Sequence, residues 1–155
     1  GKELIFEGVE GDTLELVLEL DPGSAQEIGV CVRKSPGGEE ETRIMYTPSE
    51  SSLRIDLAKS SLSGYLQHLE FVMGGPNSPV QEQKAPFSLS QGESLRLRVF
   101  LDRSILEVYA NERQALVQRV DPVREDSLGV SIFAHGGQAT LIAIDAWDMA
   151  PTTPW

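Results

Sequence analysis

The stretch Leu95-Arg96-Leu97-Arg98-Val99-Phe100-Leu101-Asp102-Arg103-Ser104-Ile105-Leu106-Glu107-Val108-Tyr109-Ala110 decides the fold. Leu95, Leu97, Val99 and Leu101 alternate with Ser94, Arg96, Arg98 and Phe100. A period of two lays one side of an extended strand on a core and turns the other side outward. A second strand, Ile105 to Ala110, follows Asp102-Arg103-Ser104, which reads as a three-residue hairpin loop.

The same signal extends to both sides of this stretch. Thr13 to Asp21 carries leucines at 14, 16, 18 and 20, and Ile28, Val30 and Val32 alternate with Gly29, Cys31 and Arg33. Glu41–Thr47, Ser52–Leu57, Ala115–Val120, Leu128–Ala134 and Ala139–Asp148 read as further strands. Asp21-Pro22-Gly23, Ser35-Pro36-Gly37-Gly38 and Gly136-Gly137 are turn sequences. Asn111-Glu112-Arg113 is another hairpin loop, with Asn111 suited to a positive φ. Ser60 to Leu69 has room for one helical turn at most, and Gly74-Gly75-Pro76-Asn77-Ser78-Pro79 opens a long exposed loop, read as mobile, that runs to about Lys84. The tail Pro151-Thr152-Thr153-Pro154-Trp155 is extended, with Trp155 placed to anchor on the domain or a neighbour. Many short strands joined by close hairpins make an all-β sandwich or barrel, and 155 residues without an internal repeat make one domain, 1–155.

Composition narrows the function classes. The net charge of -11 argues against nucleic acid and anionic membrane as partners, since both need a basic footprint. No run of about 18 apolar residues is present to span a bilayer. Gly1-Lys2-Glu3-Leu4 lacks the apolar stretch of a signal peptide, so the sequence leaves the compartment open. The single cysteine, Cys31, sits in an apolar run and reads as a small buried hydrophobe.

Chemistry-bearing clusters are sparse. His68 and His135 stand far apart and no Cys/His group accompanies them, so neither a metal nor a cofactor is expected. Glu39-Glu40-Glu41 has the composition of a loop calcium site, but a solvated charge run is the preferred reading. A glycosidase needs two carboxylates held about 5 to 10 Å apart across a sugar. Asp102 and Glu107 are the tempting pair. The plainer expectation is that Asp102 accepts backbone N–H groups in its own turn while Glu107 pairs with an arginine. Trp147, in the last strand, is expected in the core or along a sheet edge.

The run Leu97-Arg98-Val99-Phe100-Leu101-Asp102-Arg103-Ser104-Ile105-Leu106-Glu107-Val108-Tyr109-Ala110-Asn111 closely resembles a signature of the C-terminal β-sandwich of family-32 glycoside hydrolases, the invertases, levanases and inulinases. Gln118-Arg119-Val120-Asp121-Pro122, Ser127-Leu128-Gly129-Val130, Gly136-Gly137 and Ala146-Trp147-Asp148-Met149 continue the likeness in order. Upstream, Gly11 to Leu16, Gly29 to Ser35 and Glu41 to Tyr46 also look like that module. Tyr109 stands where Phe is commoner and Asp121 where Tyr is usual, and no arginine follows Asp56. The resemblance implies a two-sheet antiparallel sandwich of the jelly-roll, concanavalin-A-like kind, C-terminal to a five-bladed propeller that carries the chemistry. The family's catalytic motifs, Trp-x-Asn-Asp-Pro, Arg-Asp-Pro and Glu-Cys, are missing from these residues, so no catalytic residue is carried over.

Three functions compete. In the first the sandwich is structural: Asp102, Arg103, Ser104 and Glu107 form a charged hairpin element, and the module packs on the catalytic propeller of the same polypeptide or guides a homo-oligomer. In the second it binds fructan or fructose, in the manner of the similar family-66 carbohydrate-binding modules. Such a site needs carboxylate, arginine and an aromatic face, and Arg43, Tyr46, Glu107 and Arg119 supply those types. In the third the chain is itself a hydrolase, which sucrose or levan cleavage by the chain alone would establish.

Overall fold

The computed structural model describes residues 1–63 and 81–150. The possible helical turn beyond residue 63, most of the 74–84 loop, His68 and Trp155 lie outside them. Among the described residues eleven antiparallel strands form two sheets. The strands are β1 (Lys2–Glu10), β2 (Thr13–Asp21), β3 (Glu27–Lys34), β4 (Thr42–Thr47), β5 (Ser52–Asp56) and β6 (Glu82–Pro86), then β7 (Leu95–Asp102), β8 (Ile105–Ala110), β9 (Gln114–Arg119), β10 (Gly129–His135) and β11 (Thr140–Asp148). The first sheet runs β1-β10-β3-β4-β5-β6 and the second β11-β2-β7-β8-β9. Because β2 leaves the first sheet and β10 returns to it, the chain crosses repeatedly between layers. That crossing is the mark of a sandwich of the jelly-roll kind.

The alternating side chains close the interior. Leu14, Leu16, Leu18 and Leu20 of β2 meet Leu97, Val99 and Leu101 of β7 and Leu106 and Val108 of β8 on one inner face. Ile28, Val30, Val32, Ile44, Tyr46, Leu53 and Ile55 supply the opposing face. Tyr46 packs edge-on against Phe87, ring centroids 5.4 Å apart. Fully burying one leucine-sized side chain is worth about 2 kcal/mol, so this double layer is the principal stabilising term.

Two strands escape the sequence reading. β1 carries Glu3, Glu7, Gly8 and Glu10 on an exposed edge, so alternation is blurred. β6 is polar and ends in Pro86, tolerable because it is the sheet's last strand. Part of the expected long loop, Glu82–Lys84, is therefore strand.

The Asp102-Arg103-Ser104 hairpin is tighter than expected. Asp102 pairs with Ile105, leaving a two-residue turn in which Arg103 adopts a φ of 55°. The Asn111 loop does have three residues between paired Ala110 and Gln114, with φ of 48° at Asn111 and 56° at Glu112. Asn111 holds this conformation through its amide: Oδ1 accepts from Arg96 N at 2.8 Å and Nδ2 donates to Ser94 O at 2.8 Å.

Candidate functional site

The expected sugar-binding residues do not converge. Tyr46 faces the interior at 4% exposure, and its hydroxyl accepts a bond from Leu89 N at 3.3 Å. Three positions earlier on β4, Arg43 takes the opposite parity and lies on the outside of the six-stranded sheet. There it is bound to Glu41 at 2.9 Å and stacked over Phe133 at 5.3 Å. Glu107 and Arg119 lie on the outside of the other sheet, and Arg119 is already held by Asp121 at 2.6 Å. A set drawn by residue type alone is thus divided by strand parity among the core and two opposite surfaces.

The charged hairpin is positioned by backbone bonds. Arg103 N donates to Asp12 O at 2.6 Å and Val120 N to Ser104 O at 2.8 Å, so the turn ties the entrance of β2 to the exit of β9. The Asp102 carboxylate accepts no hydrogen bond among the described residues; the Arg103 N–H of its turn goes to Asp12 O instead. Nor does Glu107 pair with an arginine among them: Arg98 is committed to Glu15 at 2.6 Å and Arg119 to Asp121. Both expectations for these carboxylates are corrected.

Of Glu39-Glu40-Glu41, expected as a solvated run, Glu39 is exposed but Glu40 and Glu41 are buried. Glu40 is 0% exposed and its carboxylate receives Leu62 N at 2.9 Å, Val123 N at 2.8 Å, Arg124 N at 3.0 Å and Ser127 Oγ at 2.6 Å. Burial pushes this carboxyl's pKa up, but the hydrogen bonds together hold it below the ordinary value. Glu41, also buried, receives Arg43, Lys34 and Lys59. These two glutamates carry structure that composition alone conceals; the only local signal is their place between a turn and a strand. Among the described residues no cluster of three metal-ligating side chains occurs, and no helix is long and apolar enough to cross a membrane.

Away from the edge strand β1, where Ile5 is 67% exposed, the outer face of the six-stranded sheet covers itself. Cys31, Met45 and Phe133 form a small buried cluster there, and burial raises the Cys31 thiol to about 11, so it behaves as the expected inert hydrophobe. Charged side chains lie over the cluster or beside it: Arg54 reaches Glu27 at 2.7 Å and Met45 Sδ at 2.8 Å, Arg43 lies over Phe133, and Lys34 pairs with Glu3; farther out, Lys84 pairs with Glu50 at 2.6 Å.

The outer face of the five-stranded sheet is different. Strand register sets two rows across it: Trp147, Glu15, Phe100, Glu107, Val117, and Asp145, Val17, Arg98, Tyr109, Ala115. Phe100 and Tyr109 meet edge to face at 6.0 Å, with the Arg98 guanidinium 5.1 Å above Phe100. Tyr109 remains 38% exposed, Val117 53% and Trp147 50%. Trp147 is on the edge strand β11, one of its two expected places. A groove of about 840 Å³ opens along the Phe100–Tyr109 pair, reaching Val17, Glu107, Arg113 and Ala115.

The two-sheet sandwich has counterparts among solved structures. The fold matches exo-inulinase from Aspergillus awamori with a TM-score of 0.79 at 17% identity, covering 98% of this chain and 29% of that one. It matches fructan 1-exohydrolase IIa from Cichorium intybus with a TM-score of 0.77 at 16% identity, covering 96% and 33%. In sequence the chain is 27% identical to a levanase of Bacillus subtilis over 135 residues, 86% of this chain and 18% of that protein. It is 25% identical to sucrose-6-phosphate hydrolase of Zymomonas mobilis over 141 residues, 88% and 24% respectively. The chain thus spans about a fifth of the length of these curated relatives. Residues 2–148 match the family described as "Glycosyl hydrolases family 32 C terminal", and the chain belongs to that family.

Proposed function

We propose that this chain is the non-catalytic C-terminal module of a β-fructosidase, and that it stabilises the catalytic propeller of the same polypeptide or its oligomer. The observation that carries this reading is how the polar groups are used. The most enclosed carboxylates, Glu40 and Glu41, are spent on backbone amides, a hydroxyl and internal cations. Asp102 and Glu107, the pair considered for acid–base work, lie on a strand turn and an open sheet face. Retaining or inverting hydrolysis needs two carboxylates facing each other across a sugar, one of them with a raised pKa. The family match supports the parent's chemistry as hydrolysis of fructosyl linkages, carried out elsewhere in the polypeptide.

Two measurements test this. The isolated chain incubated with sucrose, inulin and levan releases no fructose, and the parent enzyme lacking the module loses thermal stability or its oligomeric state. Fructose release by the isolated chain, or a truncated parent indistinguishable from the whole in both properties, contradicts the proposal. Saturable millimolar or tighter binding of levan or inulin to the isolated chain would replace it with the carbohydrate-binding reading.

A further inference from the structure

We infer that the outer face of the five-stranded sheet, centred on Phe100, Glu107 and Tyr109, is the surface on which the catalytic domain of the same polypeptide packs. This inference rests on the companion-module reading and adds to it the face and the chemistry of the partner surface.

The first support is the unequal treatment of apolar side chains on the two outer faces. Cys31, Met45 and Phe133 are buried by the chain's own ions. On that side Ile5 of the edge strand β1 is exposed, whereas on the other face Ile105, Tyr109, Val117 and Trp147 are all left to water. They are distributed over β8, β9 and β11 rather than on one strand, so they form a surface rather than a stripe. Phe100, Tyr109 and Val117 lie on the adjacent strands β7, β8 and β9, and exposed apolar area beside a groove marks a contact surface.

The second support is charge. Glu107 stands between Phe100 and Val117 in its row, flanked by apolar groups and unpaired among the described residues. An occupant that covers this face must neutralise Glu107, because a buried unpaired carboxylate is too costly to retain. The partner surface therefore presents a basic side chain opposite Glu107, set among apolar or aromatic groups that fill the groove beside Tyr109. A second copy of this chain fits poorly. Symmetric packing about the centre of the face would bring Glu107 of each copy together, and each copy carries a net charge of -11.

The third support is size and tethering. Five strands at about 4.8 Å spacing and six residues at about 3.4 Å rise give a face of about 24 by 20 Å. That area suits one side of an inter-domain interface of about 600–1,500 Å² in total. The matched relatives are three to five times longer than this chain. A domain held on the same polypeptide meets this face at high effective concentration, so modest apolar contact suffices.

The test uses Tyr109→Glu and Val117→Lys in the parent enzyme, with Lys84→Glu on the opposite face as control. Unfolding is followed by calorimetry, and the isolated 155-residue chain carries the same substitutions to verify that it folds. The expected result is that both face variants leave the isolated chain's melting temperature within a few degrees of the unsubstituted chain. In the parent they should lower the catalytic domain's transition to that of the module-deleted enzyme, while Lys84→Glu does not. If the deletion destabilises the parent and the face variants do not, the face assignment is wrong and the companion reading stands. If the deletion itself has no effect, the companion reading fails first. Levan oligosaccharides protecting residues 105–117 of the isolated chain from hydrogen exchange would assign the face to sugar instead and overturn the inference.

Discussion

Six strands and five strands face solvent in this sandwich with the same two-residue alternation, yet away from Ile5 on the β1 edge the results differ. Outside the six-stranded sheet, Arg43, Arg54 and Lys34 lie flat over Met45, Cys31 and Phe133 and are themselves paired with Glu41, Glu27 and Glu3. Outside the five-stranded sheet, Phe100 and Tyr109 share one edge contact and one arginine, and their neighbours Val117 and Trp147 are half in water. Alternation states which residues point outward. Whether an outward residue is finished or waiting for a partner depends on the cross-strand neighbours, and those are set by register.

The contrast can be broken most severely at Gly29. It lies between Phe133 and Met45 in one row of the six-stranded sheet, and a Cβ built there would stand 1.8 Å from Ile44 O. Gly29→Ala forces β3 and β4 apart; the expected loss is about 4 kcal/mol or more, read by urea unfolding, enough to unfold a marginal domain. A corresponding loss is not expected from small substitutions on the outside of the five-stranded sheet.

Glu40→Gln comes next. It removes the charge from a carboxylate that satisfies three backbone amides and a serine hydroxyl, at an expected cost of about 3 kcal/mol. The pH dependence follows from the same bonds. With its folded pKa held below the ordinary 4.5, Glu40 contributes stability that is full above that value and lost as the pH falls through the lower, folded one. A stability profile between pH 6 and pH 2.5 should therefore show a shallower acid decline in Glu40→Gln than in the unsubstituted chain. An unchanged slope would assign acid sensitivity to other carboxylates such as Glu93, which Arg113 holds down at about 2.

The smallest effects sharpen the comparison directly. In the isolated chain Arg43→Ala should cost about 1 kcal/mol, since it uncovers Phe133 and leaves Glu41 with weaker partners. Tyr109→Ser should cost about 0.5 kcal/mol, the value of one partly exposed aromatic edge contact. Denaturant midpoints of the two variants check the order; a larger loss from Tyr109→Ser would mean that the open face matters to the sandwich itself.

Much of the fold was legible in the residues. The leucines of β2, the Leu95–Leu101 run and the hairpin to Ile105 occur as strands where alternation places them. β1 and β6 were hidden because edge strands bury little and so lose the apolar beat. The site was far less legible. Arg43 and Tyr46 are three residues apart, an odd step, which already places them on opposite faces of one strand. Glu40 looked like one of three solvated acids because its donors come from Leu62, Val123, Arg124 and Ser127, distant in sequence. Only the assembled sandwich brings them to one carboxylate.

The most direct test of the two-face account is hydroxyl-radical footprinting of the isolated chain and the parent enzyme, read at Tyr109 and Trp147 on one face and Met45 and Phe133 on the other. The account predicts strong labelling of Tyr109 and Trp147 in the isolated chain that falls several-fold in the parent, with Met45 and Phe133 protected in both. Equal labelling of Tyr109 in the two proteins, or protection gained only on the Met45 side, would contradict it.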